Sequence, residues 1–542
     1  MLRPLTLDEI AEVTGGGVVD GPNAAGVAVS GGSVVSAGSP PAPNSGGAGN
    51  AEVGSPVMSN ASATPPAPPE LGAGGLPALT MLPGHSAQPL QSGEETITSV
   101  STDTRTIKPG ALFVALRGEN HDGHAFLQAA ADAGAVAFLT DRTLKPGEPQ
   151  LPHVIVPDTL HALGDIARLL RDEFKGPVVG VTGSVGKTTT KEMIADILGT
   201  TFNVHKSVGN HNNEIGVPQT IFDMEPTHTA LVVEMGMRGA GQIRRLAEIA
   251  APTIGVITGV GTSHIELLGS REAIADAKGE LFELLPVDGV AVYSSDDPYA
   301  ERLAGKFAGR KVMVRVLPPV PPARSEGYVA ASEIAQQENG YRFTVTTGTA
   351  TQKFFLPSPG EFNIKNALLA VAVGDVLEIP LDTMSRAVHR FKAPAMRLEV
   401  LTSPTGVTVL SDAYNAAPDS MVGALKTLKD ATVGTNGKRI AVLGEMKELG
   451  AFADEGHSLV GRAAAQIAKP DTLILIGTDD AKKIAAGALA EGFSLDNIHY
   501  FDTSSDAAKL IAFIVQPGDA ILIKGSRAMA METIVNALME AK

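Results

Sequence analysis

This sequence predicts an α/β protein in three domains, and three observations predict it. Short apolar, β-branched runs alternate with helical patterns twice over, once in the middle of the chain and once in its C-terminal third. A glycine-rich turn, GVTGSVGKTTT at 180–190, falls where one such run gives way to a helix. The chain has 542 residues, which at roughly 100–200 residues per domain is length for about three. The boundaries read as a small α/β N-terminal domain over 1–157, a central domain over 158–394 and a C-terminal domain over 395–542.

The N-terminal domain opens on a helix in LTLDEIAEVTGG, where Thr6 and Glu9 fit a capping box and the glycine pair can end the helix. Residues 21–94 then change character. SGGSVVSAGSPPAPNSGGAGN and ATPPAPPELGAGG are built from Gly, Pro, Ala and Ser, a composition that buries too little apolar surface to offset its conformational entropy. They read as a disordered insertion. After it, ITSVSTDTRTIKPGALFVALRGENHDGHAFLQAAADAGAVAFLTD gives short strands, a turn at Lys108-Pro109-Gly110 and a helix near 123–134.

A helix in LHALGDIARLLRDEF leads to the strand PVVGVTG and the glycine-rich turn, and ALVVEMG, TIGVITGVG and GVAVYSSDD continue the alternation. This predicts a central parallel sheet of phosphate-loop ATPase type, with a β-rich stretch at YRFTVTTGTATQKFFLP before the helix NIKNALLAVAVGDVL. VTVLSD, RIAVLGEM, TLILIG and AILIKGS predict a Rossmann-like C-terminal sheet. Polar residues stand at its strand ends: Asp412, Glu445 and Lys524. Ligands of open parallel sheets sit beyond those ends, so a site is expected between the two larger domains.

Composition excludes several classes. Net charge is −16, which argues against nucleic-acid and anionic-membrane partners. There is no cysteine, hence no disulfide, thiolate catalysis or Cys-ligated zinc. MLRPLTLDEIAEV carries acids where a signal peptide needs an apolar core, and no run of about 18 apolar residues occurs, so a cytoplasmic protein is expected.

In the loop, Gly183 and Gly186 permit the tight turn that aims amides at phosphate oxygens, with Ser184 and Val185 between them. Lys187 would neutralise β/γ-phosphates and Thr188, followed by Thr189, would offer a hydroxyl to Mg²⁺. Strict Walker spacing wants Gly at 181, where Val stands. The preceding strand, and a helix with Met193, Ile194, Ile197 and Leu198 on one face, supply the context the motif needs. Glu234 ends a strand and reads equally as a metal carboxylate or a solvated acid. His264 lies beyond a strand end, where ligand and structural roles weigh evenly. Lys278 shares a helical stripe with Ile274, Leu281 and Leu285; the pattern by itself favours snorkelling, while burial would give a neutral amine able to form a carbamate.

TGSVGKTTT, GNHNNEIGVP, VVEMGMRGAGQI, HIELLGS, DAKGE, DAYNAAPDSM, LGEMKELG and IKGSRAMAME, in this order, make the chain resemble the Mur ligases, ATP-dependent amide-bond-forming enzymes of peptidoglycan precursor synthesis. DAYNAAPDS sets it with members that join D-alanyl-D-alanine to a UDP-N-acetylmuramoyl (UDP-MurNAc) tripeptide, and apart from those carrying a DNPR-type motif. The resemblance implies ATP and Mg²⁺ as cofactors, small-molecule substrates and a monomer. It gives Lys187 and Thr188 to the phosphates and metal, Glu234 and His264 to metal, and places Lys278 on the family's carbamylated lysine, which reverses the snorkelling preference. Asn363, Asn366, Arg397 and Asp412 would close on the nucleotide. Asn210, Asn212 and Asn213, with Tyr414 and Asn415, would line the substrate cleft, and Thr102, Asp103, Thr104 and Arg105 would bind the uridine nucleotide. Ser294, Phe362 and Thr104 stand where the family commonly has Asn, His and Ser. Alternatives are a sister ligase, such as the one adding the third peptide residue or a folylpolyglutamate synthase, and a protein that uses ATP only to change shape.

Overall fold

The computed structural model describes residues 1–19, 21, 96–119, 121–316, 327–337 and 340–541. The insertion expected over 21–94 lies, Gly21 aside, outside the described residues. The chain divides into two units, residues 1–21 with 95–542, and residues 22–94; every element named belongs to the first.

Three sheets form among the described residues. The first holds β1 (Gly17–Val19), β2 (Ser99–Ser101), β3 (Ala111–Val114), β4 (Ala135–Thr140) and β5 (His153–Ile155). Their order is β1-β5-β4-β3-β2, parallel except for β1. The opening helix Leu7–Thr14 carries the expected capping box, and Gly15 ends it in a left-handed conformation that costs glycine nothing. The helix expected near 123–134 is a 3₁₀ turn, Gly123–Phe126, followed by a short α-helix, Leu127–Asp132. Asp122 caps the turn at the His124 N–H and so favours the tighter start.

The second sheet holds β6 (Val178–Thr182), β7 (Val204–Lys206), β8 (Ala230–Glu234), β9 (Ile254–Ile257), β10 (Val290–Ser294), β11 (Arg310–Val316), β12 (Tyr328–Gln337), β13 (Gly340–Thr346) and β14 (Thr351–Leu356), in the order β14-β13-β12-β11-β10-β9-β6-β8-β7. It is parallel from β7 to β12; the β-rich stretch supplies the antiparallel β13 and β14. β6, β8 and β9 are buried throughout, as their unbroken apolar runs demand of strands covered on both faces. The helix Phe362–Val376 is apolar all round, which fits its packing between the sheet and the helix Lys187–Leu198. The strand order turns about β6, so the crevice of this sheet opens at the carboxyl end of β6.

The third sheet holds β15 (Glu399–Thr402), β16 (Thr408–Asp412), β17 (Arg439–Gly444), β18 (Thr472–Ile476), β19 (Ile498–Phe501) and β20 (Ala520–Lys524), ordered β15-β16-β20-β17-β18-β19 and parallel except for β15. The edge strands β15 and β19 are short and partly exposed, without the apolar runs that mark the other four. Pro418, a stop by sequence, starts the helix Pro418–Asp430 at N1, where its missing N–H costs nothing.

Candidate active site

The β6 strand ends at Thr182 and the chain turns through 183–186 into the helix Lys187–Leu198. Gly183 has φ +150° and a Cβ there would lie 2.0 Å from Thr258 Oγ1; Gly186 has φ +84° and its Cβ would meet Asn366 Oδ1 at 2.6 Å. Neither place admits a side chain. The end of β9 backs the turn. Ser184 N–H donates to Gly259 O (2.8 Å) and Thr258 Oγ1 donates to Val185 O (2.6 Å). Lys187 Nζ donates to Gly183 O (2.8 Å). Burial pushes the Lys187 amine down; Glu234 opposes this and Arg397 adds to it.

Glu234, last in β8, is buried. Its Oε1 accepts from Asn212 Nδ2 (2.9 Å), whereas Oε2 is buried without a hydrogen-bond partner. Lys191, one helical turn beyond Lys187 and fully buried, lies 3.9 Å from that oxygen and donates to Ser207 O (2.7 Å). Lys278, in the helix Arg271–Glu283, is 2% exposed, so the snorkelling favoured by the stripe pattern is corrected. Ile274 and Leu281, on the same stripe, are buried in the core, so this side of the helix faces protein, not water. Burial, then Lys187, hold its amine well below the usual lysine range. No carboxylate of the described residues forms an ion pair with it.

His264 precedes the short helix Ile265–Leu268 in a left-handed conformation, φ +65°. Its Nδ1 lies 2.6 Å from Glu448 Oε2, off the line of a good hydrogen bond. Burial lowers its pKa, Glu448 opposes, and Lys187 and Lys278 lower it further. Lys187, Glu234, His264 and Lys278 thus form one electrostatic neighbourhood. Among the described residues no three His, Asp or Glu side chains alone form a metal-binding group.

Two cavities meet at this turn. One of about 960 Å³ is lined by Ser184–Thr189, Asn363, Asn366, Arg397, Asp412 and Asn415. Asn366 Nδ2 donates to Asn363 Oδ1 (2.9 Å), and Asn363 Nδ2 to Pro359 O (2.8 Å), which fixes both amides. Asp412 pairs with Lys524 at 2.7 Å, in register across β16 and β20. The other cavity, about 680 Å³, is lined by Asn210, Asn212, Asn213, Glu234, His264 and Tyr414 among others. Ser184, Lys187, Arg397 and Asn415 line both. Arg397 lies over the Tyr414 ring, 3.9 Å from its centroid.

Some expected residues stand elsewhere or are already engaged. Thr102, Asp103, Thr104 and Arg105 follow β2 and line neither cavity. Asp103 caps its own turn at the Arg105 N–H (2.9 Å) and pairs with that guanidinium, which holds its carboxyl down at about 2. Asn213 Oδ1 accepts from Gly216 N–H (2.9 Å) and so starts the helix Gly216–Phe222. Glu445 caps the helix Asp479–Ala490 through Thr478 N–H (2.6 Å). Nothing in the sequence pattern singles out Lys191, Asp419 or the contact made by Glu448. A helical lysine, an acid in the first turn of a helix and a loop acid become visible only when distant segments meet.

A phosphate turn at the crevice of one parallel sheet, faced by polar strand ends of another, defines a multidomain nucleotide enzyme. Residues 96–171 match the catalytic domain of the Mur ligase family, 181–374 the Mur ligase middle domain and 396–527 the glutamate ligase domain of Mur ligases. The chain belongs to the Mur ligase family. Among its relatives is the UDP-N-acetylmuramoyl-tripeptide–D-alanyl-D-alanine ligase of Bacillus subtilis, 37% identical over 85% of this chain and 97% of that one. The Escherichia coli ligase of the same name is 35% identical over 83% and 96%. A crystal structure of MurF from Acinetobacter baumannii covers 84% of this chain and 95% of its own, at TM-score 0.73 and 28% identity. MurF from Thermotoga maritima in complex with ADP covers 82% and 98%, at TM-score 0.71 and 26% identity.

Proposed function

We propose that this chain is an ADP-forming ligase that uses ATP to join D-alanyl-D-alanine to UDP-MurNAc-tripeptide in peptidoglycan precursor synthesis. The observation that carries this reading is the meeting of two cavities at one phosphate turn, with Lys187 and Arg397 lining both. A switch protein needs the first cavity only.

ATP would occupy the first cavity, its phosphates on the 183–189 turn and helix N-terminus, beside Asn363, Asn366 and Asp412. The tripeptide carboxylate would enter from the second, past Asn210, Asn212, Asn213, Tyr414 and Asn415. A carboxylate oxygen attacks the γ-phosphorus, the bond to the β-phosphate oxygen breaks and ADP leaves. The dipeptide amine then attacks the acyl carbon. The tetrahedral intermediate loses phosphate, and the amine nitrogen loses a proton as the amide forms. Lys187 and Arg397 would stabilise charge at the transferred phosphoryl group, so catalysis rests on positioning and preorganised charge.

Glu234 Oε2, buried without a hydrogen bond, fits Mg²⁺, and Lys278 fits it as a carbamate because burial favours the neutral amine, the form that adds CO₂. Thr188, Glu234, His264 and Lys278 would hold the ion, with phosphate oxygens completing its shell. When bound, it would neutralise phosphate charge. Thr102, Asp103, Thr104 and Arg105 would hold the uridine nucleotide from the domain over 1–157, while 158–394 binds ATP and 395–542 closes over it. The reading implies a cytoplasmic monomer. No helix among the described residues is long and apolar enough to cross a membrane.

The test is incubation with ATP, UDP-MurNAc-tripeptide and D-alanyl-D-alanine, with meso-diaminopimelate- and lysine-containing tripeptides side by side. One phosphate per amide is expected. Phosphate release no higher than in the control without dipeptide would overturn the reading.

A further inference from the structure

The C-terminal sheet domain grips one loop of the central domain, residues 258–268, and that loop is also the backing of the phosphate turn. On the turn side, Gly259 O, Thr258 Oγ1 and Ser263 Oγ contact Ser184 and Val185. On the other side, Asp419 Oδ2 accepts from Thr262 N–H (3.2 Å), at a spot where a Cβ on Gly261 would come within 2.5 Å of it. A Cβ on Gly450 would lie 2.7 Å from Glu266 Cγ. Between these contacts, Glu448 reaches His264 Nδ1 (2.6 Å) and Arg238 (3.5 Å). Among the described residues these are the ion pairs that cross between 158–394 and 395–542. Glu448 makes them with φ +64°, a conformation a glutamate holds only when its surroundings impose it.

We infer that Glu448 is a positioning residue of the ligase reaction: from the C-terminal domain it fixes the ring of His264 and so completes the phosphate site only when that domain is docked. The inference rests on the ligase reading. A carboxylate 2.6 Å from Nδ1, though off the line of a good hydrogen bond, draws the ring proton to that side and leaves Nε2 as the lone-pair nitrogen for the cavity His264 lines. A histidine without that partner can rotate and change tautomer. The site therefore assembles in the docked state, in which the domain also shields an acyl phosphate from water. An undocked enzyme would lose the acyl phosphate to hydrolysis: water adds to the acyl carbon, phosphate leaves, and ATP is spent without an amide.

Full-length Glu448→Ala and Glu448→Gln variants test this with two readouts. The first is ADP formed per amide formed with all substrates present. The second is Mn²⁺ affinity by electron paramagnetic resonance in the presence of a non-hydrolysable ATP analogue. The wild type should give one ADP per amide. Glu448→Ala should raise that ratio above one, lower the rate of amide formation about 10–100-fold and weaken Mn²⁺ about tenfold. Glu448→Gln, which keeps an acceptor oxygen, should recover part of both. A ratio of one with wild-type Mn²⁺ affinity in Glu448→Ala would overturn the inference. A merely structural role lowers the melting temperature and the amount of active enzyme while leaving the ratio at one, and that too would overturn it. Absence of amide in the wild type would sink the ligase reading, and the Mn²⁺ comparison would still decide the role of Glu448.

Discussion

Lys278 concentrates the chemistry of this site in one residue. Its amine is enclosed, carries no paired acid among the described residues, and is held below the usual lysine range by burial and then by Lys187. Between its folded pKa and the unfolded value near 10.5, the unfolded chain binds the extra proton, so Lys278 costs stability that is recovered as pH rises toward 10.5. In CO₂-free buffer, the wild type should therefore gain on Lys278→Met by at most about 1.4 kcal/mol per pH unit across that window. Urea melts at several pH values check this, and parallel curves would refute it. Lys278→Ala should lose activity about 100-fold or more and regain part of it with added formate or acetate, if a carbamate oxygen is what the site needs. No recovery at any carboxylate concentration would count against the carbamate. The sequence showed the stripe but not the enclosure, because a lysine beside Ile274 and Leu281 looks the same whether its stem ends in water or in protein. Glu234 was legible as a strand-end acid, but its surroundings, a hydrogen bond from Asn212 on one oxygen and Lys191 at 3.9 Å from the other, depend on residues arriving from other segments.

The phosphate turn was the most legible element, since strand, glycines, lysine and helix are contiguous. Elements whose form is set by contacts at a distance were not. The edge strands β15 and β19 lack an apolar run; the 3₁₀ start of the helix near 123–134 is by contrast a local detail, set by one aspartate two residues away. Helix crossings are equally silent. The helices Ala453–Ala463 and Asp479–Ala490 touch backbone to backbone: a Cβ on Gly461 would fall 1.9 Å from Ile484 O, and one on Gly487 would fall 2.2 Å from Ser458 O. Both glycines have ordinary helical backbone, so their cost in helix propensity is offset by the close approach they allow. Gly461→Ala and Gly487→Ala should each destabilise by roughly 1–3 kcal/mol, because the helices must separate. The double variant should lose less than the sum, since one separation relieves both contacts. Denaturant melts give all three values; strict additivity would mean that the two contacts yield independently.

At the scale of the molecule, every residue given a role in the reaction lies in the unit formed by 1–21 and 95–542. The Bacillus subtilis relative aligns over 97% of its own length yet over only 85% of this chain, so the ligase fold does not require all of this sequence. Residues 22–94 should therefore be replaceable, provided the replacement meets a geometric demand. They join β1 to β2, and these are the opposite edges of the five-stranded sheet. Four strand spacings of about 4.8 Å make that crossing about 19 Å. Because β1 is antiparallel to the other strands, its last residue and the first of β2 fall at the same end of the sheet. At about 3.3 Å per extended residue, at least six residues are needed, and more to round the edges. A Gly/Ser linker of about twelve residues between Gly21 and Thr96 should leave the phosphate-to-amide ratio and the KM for ATP unchanged. Joining Gly21 directly to Thr96 leaves five residues between β1 and β2, too few to span the sheet, and should pull β1 from β5, exposing Val154 and Val156, which are buried beside Gly16. The directly joined protein should then melt at lower temperature while its phosphate turn, in the next domain, still binds ATP. Loss of ligase activity with the long linker and an unchanged melting temperature would show that 22–94 takes part in the reaction after all.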